Sequence, residues 1–306
     1  MSEPVALVIV MKYMTSRSLL FLFIISLVSC EKDIDIKLDE TKPRLVVDGS
    51  IENDRPPYLV LSTSLDYFGE LSPAQLEASF VHNAKVSITV GTRVYNLRED
   101  SSSLGNGFLY YFYTTNYADP VNALIGQLNT SYALKIETGG VTYTSNTKIP
   151  EITRRIDSLW SEPVSGFDDT ALARLMIKAT DRPGYGDYIR YFTKANTDIF
   201  YPGYTSVFDD QVIDGKTYTI QVDRGLNKNL DNKDEDIYFH KGDIVTLKLC
   251  NIDRNTFEFW RTFEFNFQGI GNPFSSPTTV TSNISNGALG YFGGYAAQYK
   301  TILIPR

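Results

Sequence analysis

Short runs of β-branched and aromatic residues, cut every few positions by Gly, Asn, Asp or Pro, set the tightest limit on how this chain can fold. Leu45 to Ile51 and Tyr58 to Thr63 are two such runs, and the turn residues Asn53 to Pro57 between them predict a hairpin. Further strands are predicted at Lys85 to Val90, Arg93 to Leu97, Leu109 to Tyr113, Ser131 to Glu137 and Thr142 to Ile149. Past Ile149 and Pro150 the pattern resumes at Ile152 to Trp160, Leu172 to Ala179, Asp187 to Thr193, Lys216 to Val222 and Ile244 to Cys250. Such spacing favours an antiparallel sandwich over alternating strands and crossover helices. The expected class is mainly β: two β-sandwich-like (Ig-like) domains, 44–150 and 151–306, with one short helix in the C-terminal half.

That helix is predicted from Asp253 to Phe265. Phe257, Trp260 and Phe263 share one helical face, and Asp253 or Asn255 stands where a cap is needed. Phe257, Phe259, Phe263, Phe265 and Phe267 also fit a two-residue period, but Trp260 and Arg261 break it. Pro120 to Leu128 reads as a turn or a short helix. Gly287 to Gly294 lacks the Lys-Ser/Thr of a phosphate-binding loop, so its glycines are read as allowing tight backbone packing at a β-bend.

The first thirty residues carry an address. Lys12 and Arg17 form a basic region and Leu19 to Val28 a ten-residue apolar one, too short to span a bilayer. Leu27, Val28 and Ser29 then lead into Cys30 in the manner of a bacterial lipobox, which predicts cleavage after residue 29 and a lipid on the Cys30 sulfur. Met11 and Met14 are alternative starts to Met1, so the first ten residues enter no fold argument. Residues 30–43 are expected to be a tether. Its opening Glu31, Lys32 and Asp33 are similar to the charged tag that exports such lipoproteins to the cell surface.

Composition narrows the function. Of 306 residues, 42% are apolar and 13% aromatic, including 20 Tyr and 18 Phe, which is too much core-forming material for disorder. The net charge of −7 becomes −8 when the leader takes Lys12, Arg17 and Glu3 with it, and gives no general basis for nucleic-acid binding. With Cys30 lipidated, Cys250 has no partner for a disulfide and is expected to be a buried, inert thiol.

Catalytic constellations are scarce. His82 and His240, the two histidines, belong to no zinc-ligand spacing or nucleophile elbow. Asp209 and Asp210 are adjacent in sequence, which says nothing of the separation across a sugar that glycosidase carboxylates need. Asp231 to Asp236 is the one stretch with the hard oxygen ligands of a calcium loop, but it lacks the order, glycine and terminal Glu of an EF-hand. No catalytic, cofactor or metal residue is assigned. Aromatic stretches are the one feature with binding potential: Phe108 to Tyr113, Phe200, Tyr201, Tyr204, Tyr291, Phe292, Tyr295 and Tyr299.

Several stretches together resemble a Bacteroidetes lipoprotein family of unknown function, DUF4249: Cys30 to Asp33, Leu45 to Ile51, Asn83 to Ile88, Asp187 to Arg190, Asp209 to Gly215, Lys241 to Val245, Asn272 to Pro277 and Asn283 to Phe292. The resemblance implies an outer-membrane lipoprotein, often encoded beside a TonB-dependent receptor, and brings no catalytic residues with it. The expected function is therefore a non-enzymatic surface lipoprotein, held to the membrane by its N-terminal lipid and serving a TonB-dependent transporter in nutrient uptake. A structural or adhesive envelope protein is the alternative, and a hydrolase with a site scattered over loops a third.

Overall fold

The computed structural model of the protein describes residues 42–65, 72–103, 107–167, 171–228, 230, 232–270, 276 and 278–306. The hairpin, the later runs and the C-terminal segment join into one eight-stranded sheet. Its order is β12 (Tyr201–Phe208), β11 (Tyr188–Ala195), β15 (Ile244–Ile252), β16 (Leu289–Leu303), β1 (Leu45–Glu52), β2 (Tyr58–Thr63), β6 (Leu109–Thr114) and β5 (Arg98–Ser103). A four-stranded sheet runs β4 (Arg93–Asn96), β3 (Lys85–Val90), β7 (Thr130–Thr138), β8 (Val141–Ile149). In another, β10 (Leu172–Thr180) pairs with β9 (Arg155–Pro163), β13 (Thr217–Val222) and β14 (Phe239–His240). The mainly β reading holds, in a sandwich-like arrangement of these layers.

Side-chain alternation distributes the cores. On one face of the large sheet, Val47, Ile51, Leu59, Leu61, Tyr113, Phe292 and Ala296 pack with Val86, Ile88, Leu134 and Ile136 of the four-stranded sheet. On the same face, further along, Ile189, Tyr191, Val245, Leu247 and Leu249 pack with Leu159, Leu175, Ile177, Val222 and Phe239. Pro150 falls between these cores, and β16 serves both: Phe292 and Ala296 enter the first, while Ile302 packs against the second. Residues Pro43–Arg306 form one compact unit.

Not every pair is antiparallel. β16 runs parallel to β1 over Val46↔Leu289 to Glu52↔Tyr295 and antiparallel to β15 over Ile244↔Leu303 to Ile252↔Tyr295. The glycine-rich stretch is thus part of a strand, where the sequence suggests a bend. The tight packing it suggests is present: Gly290 has φ +89°, and a Cβ there would overlap the Val47 carbonyl.

The described residues contain two α-helices, one more than expected. α1 (Pro73–Ser79) lies in the N-terminal half and begins with a capping box: Ser72 Oγ accepts from Gln75 N at 3.2 Å, and Gln75 Oε1 accepts from Ser72 N at 2.9 Å. α2 (Arg254–Gln268) is the helix predicted from the aromatic spacing, capped by Asp253, whose Oδ1 accepts from Thr256 N at 2.8 Å. Pro120–Asn122 forms a single 3-10 turn capped by Asp119. No described helix is long and apolar enough to cross a membrane.

Candidate functional site

α2 lies on the face of the large sheet opposite the two cores, over Cys250, Ile252, Tyr291, Tyr295 and Ala297. A buried polar relay fixes it there. The Arg190 guanidinium, from β11, sits 3.3 Å from the Trp260 ring centroid and donates from Nε to Ser206 Oγ at 3.1 Å and from Nη1 to Tyr295 OH at 3.2 Å. Ser206 Oγ in turn donates to Glu264 Oε1 at 2.5 Å, and Ser206 N to Glu264 Oε2 at 2.9 Å. Arg190 and Glu264 are both buried, so this network holds helix to sheet and is closed to substrate.

Past the edge of α2 the sheet face opens. Glu52 of β1 accepts from Lys248 Nζ and Tyr299 OH and pairs with Arg55 at 3.1 Å. Phe192 and Tyr299 flank the Lys248 ammonium at 5.2 and 5.8 Å, and Phe200 lies 5.8 Å from Tyr299. Burial opposes the Lys248 charge, but the charge of Glu52 and its hydrogen bond prevail and raise the pKa. Tyr299 is 41% exposed, as is Tyr58, which stands 4.8 Å from Phe112 on the same face. The sequence-predicted aromatics thus divide: Phe292 belongs to the first core, Tyr291 and Tyr295 lie under α2, and Tyr299 with Phe200 forms an open aromatic and ionic patch.

The second sandwich contains a concave site. Two adjoining cavities, about 390 and 200 Å³, share Ile189, Phe208, Tyr218 and Ile220 as walls. Their lining is mostly apolar, and Arg154, Asp209 and Arg261 are the charged residues lining the larger one. Arg154 is 0% exposed; its Nε bonds Asp181 Oδ1 at 3.0 Å, while Nη1 and Nη2 have no hydrogen-bond partner. An apolar cleft of this size is suited to a ligand with an apolar body. Nothing in the local sequence announces it, because Arg154, Asp181 and the β12–β13 segment meet only in the fold.

Other sequence-predicted positions resolve as follows. Cys30, Glu31, Lys32 and Asp33 lie outside the described residues. Cys250 is fully buried, and burial, the largest influence, pushes its thiol up to about 12 although Lys248 favours the thiolate. Its place out of phase with Leu247 and Leu249 is explained by β15 being covered on both faces. His82 Nδ1 meets Glu99 Oε1 at 2.5 Å. Asp231 is outside the described residues; Asp234–Ile237 forms a 3-10 turn in which Asp236 Oδ2 accepts from Lys233 N at 2.7 Å. Asp209 and Asp210 separate: Asp209 lines the larger cavity and Asp210 is buried beside Asp181 and Asp214.

These features define a mainly β, sandwich-like protein with an apolar cleft and an open aromatic face. The model of the family described as "Domain of unknown function (DUF4249)" matches residues 31–301, and the chain belongs to that family. No match to the chain is found among curated proteins.

Proposed function

We propose that this protein is a surface-exposed outer-membrane lipoprotein, anchored through Cys30, that captures a ligand without chemically altering it and serves a TonB-dependent transporter in nutrient uptake. The observation that carries the capture role is the cleft: apolar walls from Ile189, Val207, Phe208 and Ile220, with Asp209 and Arg261 as charged groups in its lining. The lipobox and the charged Glu31, Lys32 and Asp33 support the anchored, exported state, and the family resemblance supports the transporter partner. The test is extraction of the Cys30-anchored protein from its native membrane in mild detergent, with mass spectrometry of what co-purifies. A stoichiometric TonB-dependent receptor is the expected result, and purification without any such receptor overturns the partnership.

A structural or adhesive role is the second reading, favoured by the open patch of Phe200, Tyr299 and Tyr58. It predicts that substitution of these aromatics, with the cleft left intact, abolishes envelope-protein contacts.

A further inference from the structure

The loop after β10 and the loop after β12 meet beside the cleft, and both are acidic. The first supplies Asp181 and Asp187, the second Asp210 and Asp214. Carboxylate oxygens of Asp181, Asp210 and Asp214 all lie within 4.8 Å of one another, although Asp181 is 1% exposed and Asp210 2%. Backbone N–H groups hold two of these side chains: Asp210 Oδ2 accepts from Gly186 N at 2.9 Å and Asp187 N at 3.0 Å, and Asp214 Oδ1 accepts from Gly184 N at 2.6 Å.

Charge does not balance in this group. Among the described residues, the buried cation paired with this group is Arg154, through Asp181. Arg182 is exposed and engaged with Glu151 at 3.1 Å. The buried Asp181 and Asp210, with the half-buried Asp187 and Asp214 beside them, face one buried guanidinium, a balance that a further cation improves.

Two unpartnered oxygens point to the same missing charge. The Asp181 side chain is completely buried, its Oδ1 is taken by Arg154, and its Oδ2 has no hydrogen-bond partner. Asp187 Oδ2 is likewise inaccessible and unpartnered. A metal ion satisfies such acceptors with no donor hydrogen.

We propose that Asp181, Asp210 and Asp214, with Asp187 beside them, form a binding site for a hard divalent cation, calcium in preference to magnesium. All the ligands are oxygens, which selects against the thiolate and imidazole metals. Magnesium demands a near-ideal octahedron and usually keeps several waters on one or two carboxylates, whereas calcium accepts about six to eight oxygens in flexible geometry, which suits a group of four carboxylates. Bound there, calcium ties the 181–187 loop to the 209–215 loop. The second of these contributes Asp209, Val212 and Ile213 to the cleft wall, so the ion braces the cleft on the side next to Arg154. The metal site stands on its own residues and does not depend on what the cleft binds.

The test uses the purified full chain, stripped with chelator and titrated with calcium chloride or magnesium chloride by calorimetry and thermal unfolding. Expected are one calcium per chain, weaker magnesium binding, and a rise in Tm of roughly 5 °C or more once calcium exceeds its Kd about a hundredfold. Asp210→Asn and Asp214→Asn are expected to abolish the rise, and Asp236→Asn to leave it unchanged. Should the buried Asp210 variant fail to fold, the half-buried Asp214 variant carries the test: it should match or exceed the metal-free parent in Tm, since a repelling charge is gone, yet no longer respond to calcium. Absence of calcium binding, a magnesium preference, or a calcium response that survives Asp214→Asn or disappears in Asp236→Asn overturns the proposal.

Discussion

Glu99 joins three groups with two oxygens. Its Oε2 accepts from Asn83 N at 2.8 Å and Tyr113 OH at 3.1 Å, and its Oε1 faces His82. Partial burial alone raises the Glu99 pKa, but the bonds from Asn83, His82 and Tyr113 outweigh it and hold the carboxyl below the ordinary glutamate range. A carboxyl with a depressed folded pKa stabilises the protein above its unfolded pKa, near 4.3, and loses that contribution as pH falls through the folded value. In urea unfolding, the stability gap between the parent and Glu99→Gln is therefore expected to be constant above about pH 5.5 and to narrow below about pH 4. A gap of equal size at both extremes would remove Glu99 from the acid sensitivity of the fold. Cys250 is the opposite case, where neighbouring positive charge loses to burial and the thiol stays protonated and unreactive.

At the scale of elements, β16 does the most with the least obvious sequence. Gly290, in the left-handed region at φ +89°, allows it to lie against the Val47 backbone in the parallel pair with β1. Gly290→Ala combines backbone strain with a steric overlap and is expected to cost at least ~2 kcal/mol in chemical denaturation. Gly287→Ala, also at positive φ but with open space around it, serves as the control and should cost less. A loss no greater than that of the control would show that the close approach is unimportant. The same glycines explain why pattern reading stops short of β16. β2 and β3 are strand-like runs with no Gly or Pro inside them, and their predicted and observed bounds coincide. β5 is a polar edge strand and β12 contains Pro202 and Gly203, so neither offers a clean alternation. α1 has a legible capping box in Ser72 to Gln75 but only seven residues and an exposed Leu76. The Arg154 cleft and the aspartate group have no local spacing at all, because β9, β10 and the two acidic loops bring them together across sequence distance.

For the molecule as a whole, the sharing of β16 makes the two halves unequal. The first core takes Ile284, Ala288, Phe292 and Ala296 from beyond residue 280, and β1 takes its parallel partner from there too. All buried residues of the second core, and of the cluster under α2, lie after residue 158. Loss of one buried Phe costs about 3–5 kcal/mol, against a typical total of about 5–15 kcal/mol for a domain. A fragment spanning residues 43–150 loses Phe292, three smaller core residues and the hydrogen bonds of a whole strand edge. It is expected to remain unfolded, with a collapsed amide spectrum by NMR, and to gain structure when a peptide covering residues 283–303 is added. The fragment 151–306 retains its own core and α2, and is expected to fold while exposing Phe292 and the bare edge of β16, which makes it prone to associate. Well-dispersed spectra from 43–150 alone would mean that its sheet closes without β16, and that the shared strand joins two domains already complete.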